Sequence, residues 1–150
     1  LMEDGNNFYV AFIASDPEPD KIRAFFSDRD TCWDDDLVTV VLDTFNDERR
    51  AFEFSANPLG VQMDAICDDV AGGFGGFGGD DNSWNAIWDS AGRISDTGYV
   101  VEMKIPLSQL RFPGGGEKQT WGNDLVRKYP REPAWAFPSA GPMHGPWGET

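Results

Sequence analysis

The chain has 150 residues, 26 acidic against 12 basic, for a formal net charge of −14. Such a length makes one domain or most of one, able to bury roughly 68–70% of the surface its unfolded form exposes, and the 13% aromatic content argues against disorder in its body. The acidic balance repels phosphate backbones and excludes nucleic acid as a partner, and no apolar run is long enough to cross a membrane as a helix.

In chain order, short strands separated by turns are predicted. The chain opens at LMEDGNNFYVAF without a signal peptide, as a fragment of something longer would. Residues 6–15 (NNFYVAFIAS) read as a strand closed by the DPEPD turn at 16–20. Residues 20–30 allow one or two helical turns with Ile22, Phe25 and Phe26 on one side. LVTVVLD at 37–43 is apolar on both faces, as a central strand covered on both sides would be. RAFEFSAN at 50–57 alternates, with Phe52, Phe54 and Ala56 opposed to Ala51, Glu53 and Ser55; the NPLG turn then leads into a hairpin partner at 61–66.

The glycines of residues 68–82 read as a long mobile loop. SWNAIWDSA at 83–91 and YVVEMKIPL at 99–107 read as antiparallel strands joined by GRISDTG. In the second, Tyr99, Val101, Met103 and Ile105 share a face, and Pro106 stops the strand. QTWGNDLVRKY at 119–129 is the last predicted strand. The expected architecture is all-β, an antiparallel β-sandwich of the jelly-roll or immunoglobulin-like kind over residues 1–130. Residues 131–150, rich in Pro and Gly, form a tail or linker.

Little in the sequence supports catalysis. The single histidine, His144, lies in that tail, which argues against a Ser-His-Asp or Cys-His arrangement and against a His-rich zinc site. The glycines at 72–79 lack the flanking strand and helix of a phosphate loop, so no nucleotide is expected. Paired carboxylates can hydrolyse glycosides, but with 26 acids nothing singles out a pair. Cys32 and Cys67 have no metal or redox spacing; they either pair, which would stabilise by about 4 kcal/mol, or stay apart as buried thiols.

Two resources remain. Asp34, Asp35 and Asp36 are candidate calcium ligands, since hard cations take oxygen donors; the bland alternative is that they mark the end of a strand. Asp36 and Asp43 sit at opposite ends of that strand, roughly 20 Å apart at about 3.3 Å per residue, and cannot share one ion. The aromatic rings can stack on sugars. Trp88 and Trp121 are expected in the core, whereas Trp33 and Trp84, with Phe74 and Phe77 of the Gly-rich loop, are the candidate ligand-contacting residues.

The ordered run DDDLVTVVLDTFNDERRAFEFSANPLGVQMDA, SWNAIWDSAGRISDTGYVVEMKIPLSQLRF and WGNDLVRKYPRE resembles the domain similar to carbohydrate-binding module family 9 that precedes an uncharacterised β-barrel domain in large bacterial outer-membrane proteins. The likeness spans roughly residues 5–137. It implies a β-sandwich missing its first strand, sugar-binding ancestry, structural calcium, and a periplasmic, secreted or outer-membrane setting in a Gram-negative bacterium. It implies as partner a carbohydrate or, alternatively, the barrel of the same protein. Related sandwiches in some periplasmic redox enzymes hold haem through Met and Lys; Met103 and Lys104 point to opposite faces of one strand, so haem is not expected.

Overall fold

The computed structural model describes residues 1–68, 81–114, 118–131 and 134–136, the last three as backbone only. Its strands are β1 (Met2–Glu3), β2 (Asn7–Ser15), β3 (Leu37–Asp43), β4 (Arg50–Ala56), β5 (Gln62–Asp68), β6 (Asp89–Ser95), β7 (Gly98–Pro106), β8 (Gly122–Tyr129) and β9 (Ala134–Ala136). They form two antiparallel sheets, ordered β1-β2-β7-β6 and β5-β4-β3-β8-β9. This is the expected β-sandwich. Helix is confined, among the described residues, to 3-10 turns at Pro19–Lys21 and Leu107–Gln109.

The sheets meet through the residues that alternation assigns inward. Val10 and Ala14 of β2 and Tyr99, Val101, Met103 and Ile105 of β7 pack against Val38, Val40 and Leu42 of β3 and Phe52, Phe54 and Ala56 of β4. Every residue of β3 is buried, as its two apolar faces predict. On its outer face, Val41 clusters with Ala51 and Cys67, while Thr39 and Ser55 hydroxyls bond at 2.7 Å. The first sheet, in contrast, leaves Ile13, Glu102 and Lys104 exposed.

Three segments differ from expectation. Residues 83–88 are not strand, and β6 begins only at Asp89, running through Gly92–Ser95 to a turn at Asp96 and Thr97. Side chains satisfy the backbone before it: Ala86 N–H donates to Asp64 Oδ2 at 2.6 Å and Ile87 N–H to Gln109 Oε1 at 2.9 Å. The helical turns expected over 20–30 reduce to Pro19–Lys21; Ile22 packs on the core while Phe25 and Phe26 face outward. Ala134–Ala136, within the Pro/Gly-rich tail, pairs with β8 as an edge strand.

Both cysteines are free and buried. Cys32 packs with Leu37 and Met63. Cys67 lies four residues beyond Met63 on the same face of β5, about 13 Å away at ~3.3 Å per residue, too far for a bond that needs the two Cα atoms about 4.4–6.8 Å apart. Burial first, then the nearby Asp35 carboxylate, pushes the Cys32 thiol up to about 11.

Candidate functional site

The connection from Ile22 to Asp36 carries no ladder hydrogen bonds of its own, so its backbone groups need other partners. Two consecutive aspartates supply them. Asp36 Oδ2 accepts the Arg23 N–H at 2.8 Å, and the Arg23 carbonyl accepts the Asp36 N–H, also at 2.8 Å. Asp35 Oδ2 accepts the Phe25 N–H at 3.1 Å and the Asn57 amide at 2.9 Å. The same Asn57 amide donates to the Phe25 carbonyl at 2.9 Å, while Asn57 Oδ1 accepts from Leu59 and Val61 N–H. Residues 23 and 25 are thereby fastened to the turn that carries Trp33, in which Asp35 N–H donates to the Cys32 carbonyl at 3.1 Å.

A backbone held in this way presents its side chains to solvent. Phe25 is 61% exposed, Phe26 83% and Trp33 40%, and the Arg23 guanidinium lies 5.9 Å from the centre of the Phe25 ring. Three exposed rings on a pinned backbone have little chain entropy to lose on binding, because the backbone is already ordered. Such rings stack on the apolar faces of flat, hydroxylated ligands.

The acidic triplet does not form one cation donor set. Asp34 is exposed and Asp35 and Asp36 are buried. Asp35 Oδ2 and Asp36 Oδ2 already accept the loop N–H groups, and Asp36 Oδ1 is sealed without any partner. Among the described residues no three His, Cys, Asp or Glu side chains gather as a metal centre, whereas calcium takes about six to eight oxygens. Asp43, at the far end of β3, acts in the same way on another turn, where its carboxylate accepts N–H groups from Phe45, Asn46 and Glu48. In that turn Asn46 and Glu48 hold positive φ angles.

The other candidates named from the sequence lie elsewhere. Trp84 packs against the core, 5.2 Å from the Phe52 ring and 5.7 Å from Phe54; Trp88, buried as expected, meets the same Phe54 edge-on at 5.3 Å. Phe74 and Phe77 lie outside the described residues. The structure thus fastens Phe25 and Phe26 to Trp33's loop, a pair that the expected helical turns placed on one side with Ile22. The signal available was the adjacency of two phenylalanines within a stretch that carries Asp20, Lys21, Arg23, Asp28, Arg29 and Asp30, with no apolar repeat after them.

A family model for carbohydrate family 9 binding domain-like sequences matches residues 1–125. The chain belongs to that family. Comparison with curated proteins and with solved structures gave no match. The match runs from β1 into β8, so both sheets and the loop that carries residues 25, 26 and 33 lie within it.

Proposed function

We propose that this carbohydrate family 9 binding domain-like chain is a non-catalytic carbohydrate-binding module, with Phe25, Phe26 and Trp33 as its sugar-stacking platform. The observation that carries the reading is the exposure of three rings on a loop whose backbone is fixed by Asp35, Asp36 and Asn57. An exported setting belongs to the same proposal: it is supported by the sequence resemblance and by a net charge of −14, which keeps a protein soluble at a surface.

The test is retention on insoluble and gelled polysaccharides, cellulose, xylan, mannan and chitin among them, by sedimentation and affinity electrophoresis. The wild-type protein is expected to be retained by at least one. Changing Phe25, Phe26 and Trp33 together to Ala should abolish that retention without changing the melting temperature, because none of the three is buried. Repeating the measurement in calcium and in EDTA reads any cation requirement directly. Retention that survives the triple change would sink the platform; no retention of the wild type on any polysaccharide would sink the function.

A further inference from the structure

Between Phe26 and Trp33 the chain turns against β5, the edge strand of the second sheet. Asp30 makes the contact that a neighbouring strand would make. Its N–H donates to the Gln62 carbonyl at 3.0 Å, and its Oδ1 accepts the Asp64 N–H at 3.2 Å, so a carboxylate replaces a main-chain carbonyl. Asp30 holds a φ of 63° to do so, in the left-handed region that aspartate tolerates better than most residues. Two residues on, Cys32 packs with Leu37 and Met63.

Arg29 joins this turn to two other elements. Its guanidinium forks onto the Asp64 carboxylate, Nε to Oδ1 at 3.3 Å and Nη2 to Oδ2 at 2.5 Å. Nη1 donates to Gln62 Oε1 at 3.2 Å and Nη2 to the Ala86 carbonyl at 2.8 Å. The Asp64 side chain is fully buried, and its Oδ2 also accepts the Ala86 N–H at 2.6 Å. One side chain of the ring-bearing loop therefore closes a network over β5 and the segment before β6. An ion pair to a buried carboxylate gains little net stability over packed apolar residues. Its fork fixes position, which an apolar contact does not. Asp35 and Asn57 fasten the loop at Phe25; Arg29 and Asp30 fasten it again before Trp33.

We propose that Arg29 is the positioning residue of the aromatic platform: it sets the separation between the Phe25 and Phe26 arm and Trp33, so that one stretch of sugar chain meets both. The inference rests on the carbohydrate reading above and deepens it, because contact points at a fixed separation are matched by consecutive units of a chain.

Arg29→Ala and Arg29→Lys are compared with wild type on the retaining polysaccharide and on its short oligosaccharides in order of length, at a temperature where each protein is folded by circular dichroism. Lysine keeps the charge opposite Asp64 but has no fork to reach Gln62 and Ala86, so it carries the test if the alanine variant does not fold. Both variants should lose at least about fivefold in polymer affinity, and the gain of affinity with oligosaccharide length should flatten. Methylguanidinium added to Arg29→Ala should restore polymer binding, whereas methylammonium, of the same charge, should not. A purely structural role would let the additive raise the melting temperature and leave the affinity of the folded variant unchanged. Hydrogen exchange reads the tether without any sugar: the Asp30 amide should exchange at least about tenfold faster in Arg29→Ala. Folded variants that bind polymer as wild type does, or an Asp30 amide as protected as in wild type, would overturn the proposal. A wild type that no polysaccharide retains, with the Asp30 amide still released by the variant, sinks the carbohydrate reading and leaves Arg29 as the residue that positions the rings.

Discussion

Asp35 and Asp36 are neighbours in sequence, and both are buried, yet their oxygens meet different surroundings. Burial first pushes the Asp36 carboxyl above the ordinary carboxylate range, against the Arg23 N–H and the Arg131 and Arg127 guanidiniums, which pull it down. Asp35 instead joins three partners at one carboxylate: the Phe25 N–H, the Asn57 amide and, at 3.9 Å, the Arg23 guanidinium. Removing its carboxylate leaves a backbone N–H and one of the two N–H groups of the buried Asn57 amide without an acceptor, each a desolvation cost of about 1–3 kcal/mol. Asp35→Ala is therefore expected to lower stability by ~2–4 kcal/mol in urea unfolding and to weaken polysaccharide retention although no ring is touched. Asp35→Asn, which keeps one acceptor, should fall between the variant and the wild type. An Asp35→Ala protein as stable and as well retained as wild type would show that the tether does not shape the loop.

At the scale of elements, the strands that alternation defines were legible and the segments that side chains hold were not. β3 coincides with the apolar run 37–43, and the inward set of β7 is the one its spacing assigns. Residues 83–88 misled because Trp84, Ala86 and Trp88 alternate as a strand would, but Arg29 Nη2 donates to the Ala86 carbonyl and Gln62 Nε2 to the Trp88 carbonyl. No periodicity records such partners, which are distant in sequence. The candidate site was half legible for the same reason: Trp33 is visible as an isolated aromatic, whereas Phe25 turns outward only because Asp35 and Asn57 hold its backbone. The β6–β7 hairpin has a sharper constraint. Gly98 has φ +140°, and a Cβ there would stand 1.9 Å from the Ala14 carbonyl oxygen, where β2 pairs with β7 at Ser15 and Gly98. Gly98→Ala must push these strands apart or leave a conformation that only glycine holds comfortably. A loss of about 3 kcal/mol or more is expected, read as a lower urea midpoint; Thr97→Ala at the adjacent exposed turn should cost under about 0.5 kcal/mol.

For the whole molecule, the two sheets are joined at one end by charge as well as by core. Asp16, just past β2 of the first sheet, has its side chain fully buried and pairs with Arg127 of β8 at 3.2 Å and with Arg131. Arg127 also donates to the Ser15 carbonyl at 2.8 Å and Arg131 to the Glu18 carbonyl at 3.0 Å. Their guanidiniums lie 5.1 and 4.2 Å from the Tyr129 ring centre. Burial of Asp16 works against its ionisation, but the Glu18 N–H and the two arginines outweigh it and hold the carboxyl below its usual value. A carboxylate with a depressed folded pKa stabilises fully above its unfolded value, about 3.9, and loses that contribution as pH falls through the lower folded value. Burial raises Asp30, Asp36 and Asp124 instead, so protonating those three in acid favours the fold, and the wild-type curve alone mixes opposite signs. Comparison with Asp16→Asn separates them. The variant leaves two arginines short of their counter-ion, a loss of about 3–5 kcal/mol when one partner of a buried pair is removed. Its melting temperature should lie well below wild type at pH 7, and the gap should close as the pH drops below about 3.9. A gap that stays constant from neutral pH into acid would mean that the charge on Asp16 does not hold the sheets together.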